Sequence, residues 1–268
     1  MTTINALGLV LLILMVLVGG KQGGKAFVSL LLNFGFLYLA MILIAFHVPP
    51  MGVTIGASVI LLAITIFMGE DDLTTTVSAF YASLLVLAVM ILLIMASLAV
   101  ARSQGFGSED SDELEGMSVL IGLSYQQIAV CTTVLSTLGA IAEAAMAIAS
   151  GLQEILLIHP NRSTNQLFGD GMRIGEQIIG TTLNTLFFGF FGGFLALFIW
   201  FVGLKYSLGT IMNNKIFVSE MITVLVSFVS VLLTVPATTA IMALRRSKIV
   251  AGQNNSGGQD KSQGKKQN

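Results

Sequence analysis

The sequence predicts an all-α, polytopic membrane protein of about seven transmembrane helices, with its N-terminus outside and its C-terminus inside. Three observations carry that expectation. Of 268 residues, 55% are hydrophobic and only 10% charged, whereas a soluble domain carries about 25% charged residues. Apolar runs long enough to cross a bilayer recur along the chain, separated by short polar turns. The basic residues also segregate to alternate turns, as the positive-inside rule requires. Mean hydropathy is +0.89, an apolar excess that a soluble core of this length could not bury.

A hydrocarbon core about 30 Å thick takes roughly 20 apolar residues in helix. Runs of that kind lie at about 4–20, 26–46, 53–68, 77–100, 128–152, 178–204 and 217–244. The first lacks a basic leader and an A-x-A cleavage site, so it reads as a membrane helix rather than a removed signal. Turns at 21–25, 47–52 (with Pro49 and Pro50) and 69–76 join the first four runs. Residues 1–100 are therefore read as a four-helix apolar scaffold, and 101–127 as an acidic extracytoplasmic loop. Within that loop, 117–127 is read as a segment re-entering at the membrane surface.

Residues 128–248 form a three-helix, polar-lined unit, in which 164–179 is an inner amphipathic helix lying at the interface. Residues 249–268 are, after Ile249, Val250 and Ala251, mostly Gln, Asn, Gly, Ser and Lys with little apolar to fold around, and are expected to be a disordered cytoplasmic tail. With seven helices, Lys21, Lys25, Arg162, Arg173, Arg245, Arg246, Lys248, Lys261, Lys265 and Lys266 fall inside, and Arg102, Lys205 and Lys215 outside. An eighth helix, made by splitting 118–157, would move Lys21 and Lys25 outside and put a hairpin's unpaired backbone in lipid.

Motifs for soluble chemistry fail on inspection. Residues 19–26, GGKQGGKA, fit G-x-x-x-x-G-K but place Ala26 where a phosphate loop needs Ser or Thr. His47 and His159 fall on opposite membrane sides and cannot share a metal. The acidic run EDSDELE (109–115) lacks the glycine and spacing of a calcium loop. Cys131 reads as a small packing residue. No nucleophile–base pair, metal set or cofactor motif is present, and the balanced net charge of −1 gives no footing for nucleic acid. The expectation is a protein that is not an enzyme, binds no cofactor and has the lipid bilayer as its first partner.

One carboxylate stands out. Glu143 lies near the middle of the fifth helix, where an ionised side chain costs on the order of 3 kcal/mol. It shares an i+4 stripe with Gly139, Ala147 and Gly151, small residues that let another helix approach closely. In the sixth helix Thr181, Thr185, Gly189 and Gly193 recur at the same interval, with Asn184 beside them. The expectation is a packed seam in which Glu143 meets Asn184, Thr181 or Thr185 as relay partners. Thr223, Ser227, Ser230 and Thr234 share a face of the last helix, which Pro236 is expected to kink. On the inner segment Asp170, Arg173 and Glu176 stand at i, i+3 and can pair.

These residues also carry a resemblance. GAIAEAAMAIAS (139–150), LFGDGMRIGEQIIGTTLNTL (167–186) and FFGG (190–193) resemble the YibE/F-like family of bacterial membrane proteins, in the shorter, YibF-like form. Glu143 stands where that family commonly shows Asp, Ala147 where Ser is frequent, and Glu176-Gln177 where Arg-Asp is frequent. The resemblance implies the bacterial plasma membrane and a partner, a longer YibE-like membrane protein. A more distant similarity of order and spacing links the same residues to the membrane half of SecF and other RND-type exporters, which relay protons through intramembrane carboxylates. The function expected is a transport or export-assisting subunit coupled to protons through Glu143. The alternative is a non-transporting assembly subunit whose small-residue stripes dock the longer partner.

Overall fold

A computed structural model describes residues 3–101 and 124–263. Those residues form eight helices: α1 (Thr3–Ala45), α2 (Pro50–Gly69), α3 (Leu73–Ala101), α4 (Tyr125–Ile158), α5 (Thr164–Gly193), α6 (Leu195–Gly203), α7 (Leu208–Met212) and α8 (Lys215–Gln263). Five are long and apolar enough to cross a membrane, or six when α5 and α6, bent by 51° at their break, are taken as one broken span. The protein is a multi-pass membrane protein, all-helical among its described residues.

Several boundaries differ from those the sequence predicts. Residues 21–25 are helical rather than a turn; the chain reverses one residue earlier, at Gly20 (φ 56°, ψ −133°), a conformation that L side chains rarely adopt. Beyond it, a Cβ on Gly23 would lie 1.8 Å from the carbonyl oxygen of Met15. Residues eight apart in a straight helix are about 12 Å apart, so α1 doubles back on itself. Helix α4 begins before residue 128 and runs six residues past 152, because nothing between Tyr125 and Ile158 breaks it. The expected acidic loop and most of the 117–127 segment lie outside the described residues, but Tyr125–Gln127 belong to α4 rather than to a re-entrant loop.

The inner amphipathic helix 164–179 is not separate. Ser163 and Gln166 form a reciprocal cap and the helix then continues to Gly193 without interruption. The break falls instead at Phe194, inside the run predicted as the sixth span. Pro236 sits within an unbroken α8, which extends to Gln263 through the polar segment expected to be a disordered tail. No proline follows Pro236 to stop it.

Contacts fix the helix directions. Gln22 donates to the carbonyls of Met68 and Gly69, Lys25 pairs with Asp71, and Asn33 Nδ2 donates to Thr65 Oγ1 at 2.8 Å, so the second arm of α1 runs antiparallel to α2. Helix α5 lies antiparallel to α4, with Gly151 against Ile174, and to α8. A Cβ on Gly171 would meet Thr239 at 2.6 Å, and one on Gly175 would meet Val235 at 2.2 Å. Thr133 and Thr223 share a hydrogen bond of 3.0 Å, and Ala140 and Ala144 pack with Val231, so α4 and α8 run parallel. The turn between α2 and α3 is held by Asp72, whose carboxylate accepts from the Thr75 backbone at 2.9 Å and from its hydroxyl at 2.6 Å. That hydroxyl, first among its bonds, holds the Asp72 carboxyl below the ordinary carboxylate range.

The core is the α3–α4–α8 contact, with Met90, Ile94, Leu98, Ile141, Ile148 and Leu152 fully buried. By contrast the most apolar window of α1 has no buried residue.

Candidate intramembrane acid site

Glu143 projects from α4 beside α5, and its Oε1 accepts a hydrogen bond from Thr182 Oγ1 at 3.4 Å. Thr182 is buried and Glu143 is exposed. The acid thus sits at the open edge of the α4–α5 seam rather than inside it. Next to it Ala140 and Ala144 close against Val231, with Ile179, Leu183 and Leu186 packed around them.

The partners that spacing selected are not the ones that reach the acid. Thr181 donates to its own helix at Ile178, and Thr185 to the Thr181 carbonyl, each at 2.9 Å. Asn184 is exposed. Each residue turns about 100° round a helix, so Thr182, and not Thr181 or Thr185, presents its hydroxyl to α4. An i+4 count finds a stripe but not its phase.

The small residues divide similarly. Gly151 packs against Ile174, whereas a Cβ at Gly139, Gly189 or Gly193 would meet nothing within 4 Å; Ala147 is half-buried. The close approach falls on Gly171 and Gly175, at the i+4 interval across α5 from Thr239 and Val235. This pair is legible in the sequence as G-M-R-I-G, a small-xxx-small step, within the stretch expected to lie at the interface.

Asp170 pairs with Arg162 at 3.3 Å, across the cap of α5, and not with Arg173; the contact lacks hydrogen-bond alignment. Arg173 and Glu176 are exposed. Two further groups carry weight that sequence reading missed. Arg245 donates to Ser78 Oγ at 3.0 Å and lies 6.0 Å over the Tyr81 ring, tying α8 to α3. Glu220 is half-buried early in α8.

Asn33 and Thr65 meet at a second polar spot, between α1 and α2. A cavity of 180 Å³ between α1, α2 and α4 is lined by Asn33, Thr65, Gly139 and Ala142 among apolar residues. The amide oxygen of Asn33 is buried without a hydrogen bond. The hydroxyls of α8 at Thr223, Ser227, Ser230 and Thr234 each donate to a carbonyl of α8 itself, which makes them structural. Among the described residues no group of three His, Cys, Asp or Glu side chains converges on a point.

Comparison with protein families matches residues 7–248 to the YibE/F-like proteins. The chain belongs to the YibE/F-like family. Its acid-bearing α4, the Gly171–Gly175 step and the Thr182 turn all fall within the matched span. Comparison with curated proteins and with solved structures finds no match, so the likeness to RND-type exporters gains no support.

Proposed function

We propose that this YibE/F-like protein is a non-enzymatic, membrane-embedded subunit of a transport or export-assisting assembly, coupled to protons through Glu143. One observation carries the reading: the carboxylate of Glu143 meets the buried hydroxyl of Thr182 at the open edge of a helix seam. A carboxylate in that position can take up a proton from the open side and, when ionised, accepts the Thr182 hydroxyl. Fixed in hydrocarbon it would cost on the order of 3 kcal/mol when ionised, a cost offset when water or another chain reaches it.

The proposal places the chain in the bacterial plasma membrane with seven crossings, the N-terminus outside and the C-terminus inside. The reversal at Gly20 divides α1 into two arms, and the α5–α6 pair makes one bent crossing. Lys25, the Arg162–Asp170 pair and Arg245 then gather at the end of the bundle assigned to the cytoplasm. A longer YibE-like protein is the expected partner.

The test is proton flux into liposomes carrying the purified assembly, followed with a trapped pH-sensitive dye. Glu143→Gln should abolish flux while insertion is retained, and Thr182→Val should reduce it. Undiminished flux in Glu143→Gln sinks the proposal. A second reading, a non-transporting docking subunit, is favoured by the open Gly189 and Gly193 and by the unburied window of α1. On that reading Gly189→Leu abolishes co-purification of the longer partner, and Glu143→Gln leaves it intact.

A further inference from the structure

Helices α2, α3, α5 and α8 all pack on α4, yet one stripe of α4 stays uncovered. Thr132, Ser136, Gly139 and Glu143 are all exposed. At about 100° and 1.5 Å per residue these four lie within about 60° of arc and span about 16 Å of helix. On one flank Leu135, Leu138 and Ala142 line the cavity shared with α1 and α2. On the other, Ala140 and Ala144 pack with Leu183 and Leu186 of α5. The stripe is the floor of a furrow, and its polar groups lack partners. Neither the Thr132 nor the Ser136 hydroxyl bonds a described residue, whereas Thr133 and Thr137 each donate to a carbonyl of α4. Glu143 has only the 3.4 Å contact to Thr182, and an ionised carboxylate offers about four acceptor sites. Beside Gly139, Asn33 lines the 180 Å³ cavity with its amide oxygen buried and unbonded. The furrow is blind at one end. Past Glu143, Met146 comes within 4.0 Å of where a Cβ on Gly69 of α2 would stand, and Ile174 of α5 closes on Gly151.

We infer that water fills this furrow from the Tyr125 end of α4 down to Glu143 and enters the α1–α2–α4 cavity at Gly139. Hydrogen-bonding chemistry selects the occupant. The Glu143 carboxylate and the Asn33 amide oxygen need donors, and the Thr132 and Ser136 hydroxyls need acceptors. Acyl chains supply neither; water supplies both. The rise from Thr132 to Ser136 is about 6 Å, which one water spans with two hydrogen bonds of about 2.8 Å. Gly139 leaves the floor clear between Ser136 and Glu143, since even a Cβ there meets nothing within 4 Å. The cavity beside it, at 180 Å³, far exceeds the roughly 10–15 Å³ that one water needs. The inference rests on the proton-coupling reading only for the furrow's use, as the one-sided route by which protons reach Glu143.

The test is cysteine labelling of the full-length protein in proteoliposomes, with the buried Cys131 replaced by alanine. The probe is a charged, membrane-impermeant methanethiosulfonate. Thr132→Cys, Ser136→Cys and Gly139→Cys should label from the side on which α4 begins. Their rates should exceed those of Leu85→Cys and Leu92→Cys, exposed on α3, by about tenfold or more, because only a hydrated thiol ionises to the reactive thiolate. Ser150→Cys, beyond Met146, should stay unlabelled from that side. Labelling of the three no faster than at Leu85 and Leu92, as a furrow filled by acyl chains or by another chain's helix requires, overturns the inference. So does labelling of Ser150→Cys from the same side, which makes the furrow a through-channel. Fast labelling of the three, with flux undiminished by Glu143→Gln, removes the proton-coupling reading and leaves the furrow. Flux lost in Glu143→Gln, with slow labelling, does the reverse.

Discussion

Replacing Gly175 by alanine should weaken the protein through the α5–α8 contact. The new methyl carbon would lie 2.2 and 3.0 Å from the two γ-carbons of Val235 and 3.2 Å from its Cβ, against about 3.5–4.0 Å for carbon atoms at rest. Val235 is 1% exposed and, being β-branched in a helix, has one strongly preferred rotamer. The clash must therefore be relieved by moving the helices apart. Overpacking of this kind costs typically about 1–3 kcal/mol, and the helix gains about 0.5–1 kcal/mol when alanine replaces glycine. The net expectation is a loss of about 1–2 kcal/mol. Reversible unfolding in mild detergent, read by steric trapping, measures it. Gly189→Ala is the control: with nothing within 4 Å, it should be neutral or slightly stabilising. Val235→Ala added to Gly175→Ala should recover part of the loss. A Gly175→Ala protein as stable as wild type would refute the packing argument, and with it the antiparallel register of α5 and α8.

Three other outcomes are expected. Thr133→Val and Thr223→Val, with the double variant, should give a coupling of about 0.6 kcal/mol in unfolding experiments, since each hydroxyl also has an acceptor in its own helix; zero coupling would remove the α4–α8 hydrogen bond. Asp72→Ala should cost about 1 kcal/mol as a lost helix cap. Because its folded value is depressed, the Asp72 contribution is present above the ordinary carboxylate range and is lost as pH falls through the folded value. A pH titration of stability in Thr75→Val should therefore show less of this acid loss than wild type. Finally, Gly20→Val should disturb the α1 reversal by about 1–3 kcal/mol of backbone strain, visible as altered accessibility of a cysteine introduced at residue 8; unchanged labelling would count against the turn.

Much of this was legible without coordinates. Membrane residence, the all-helical class and the mid-helix acid follow from composition and period, because lipid leaves a spanning backbone few choices. The family was legible in the motifs around Glu143 and Gly171. The failures have one physical form. Periodicity locates a stripe on a helix but not the neighbour it faces, so Thr181 and Thr185 were chosen over Thr182, and Gly139 and Gly189 over Gly171 and Gly175. Helix ends were also misplaced where polarity changed without a breaker, as at 164–193, since a cap at Ser163 and an uninterrupted backbone outweigh a change of surface.

The amino-acid order by itself determined a bilayer-spanning helical chain and a carboxylate near the centre of one long helix. Each of these depends only on the cost of placing polar groups in hydrocarbon. Tertiary structure decided which hydroxyl meets that carboxylate, which glycines carry the close helix contacts and which face stays uncovered. Those outcomes rest on the rotation of each helix about its own axis, which neighbouring side chains set by packing across contacts distant in sequence.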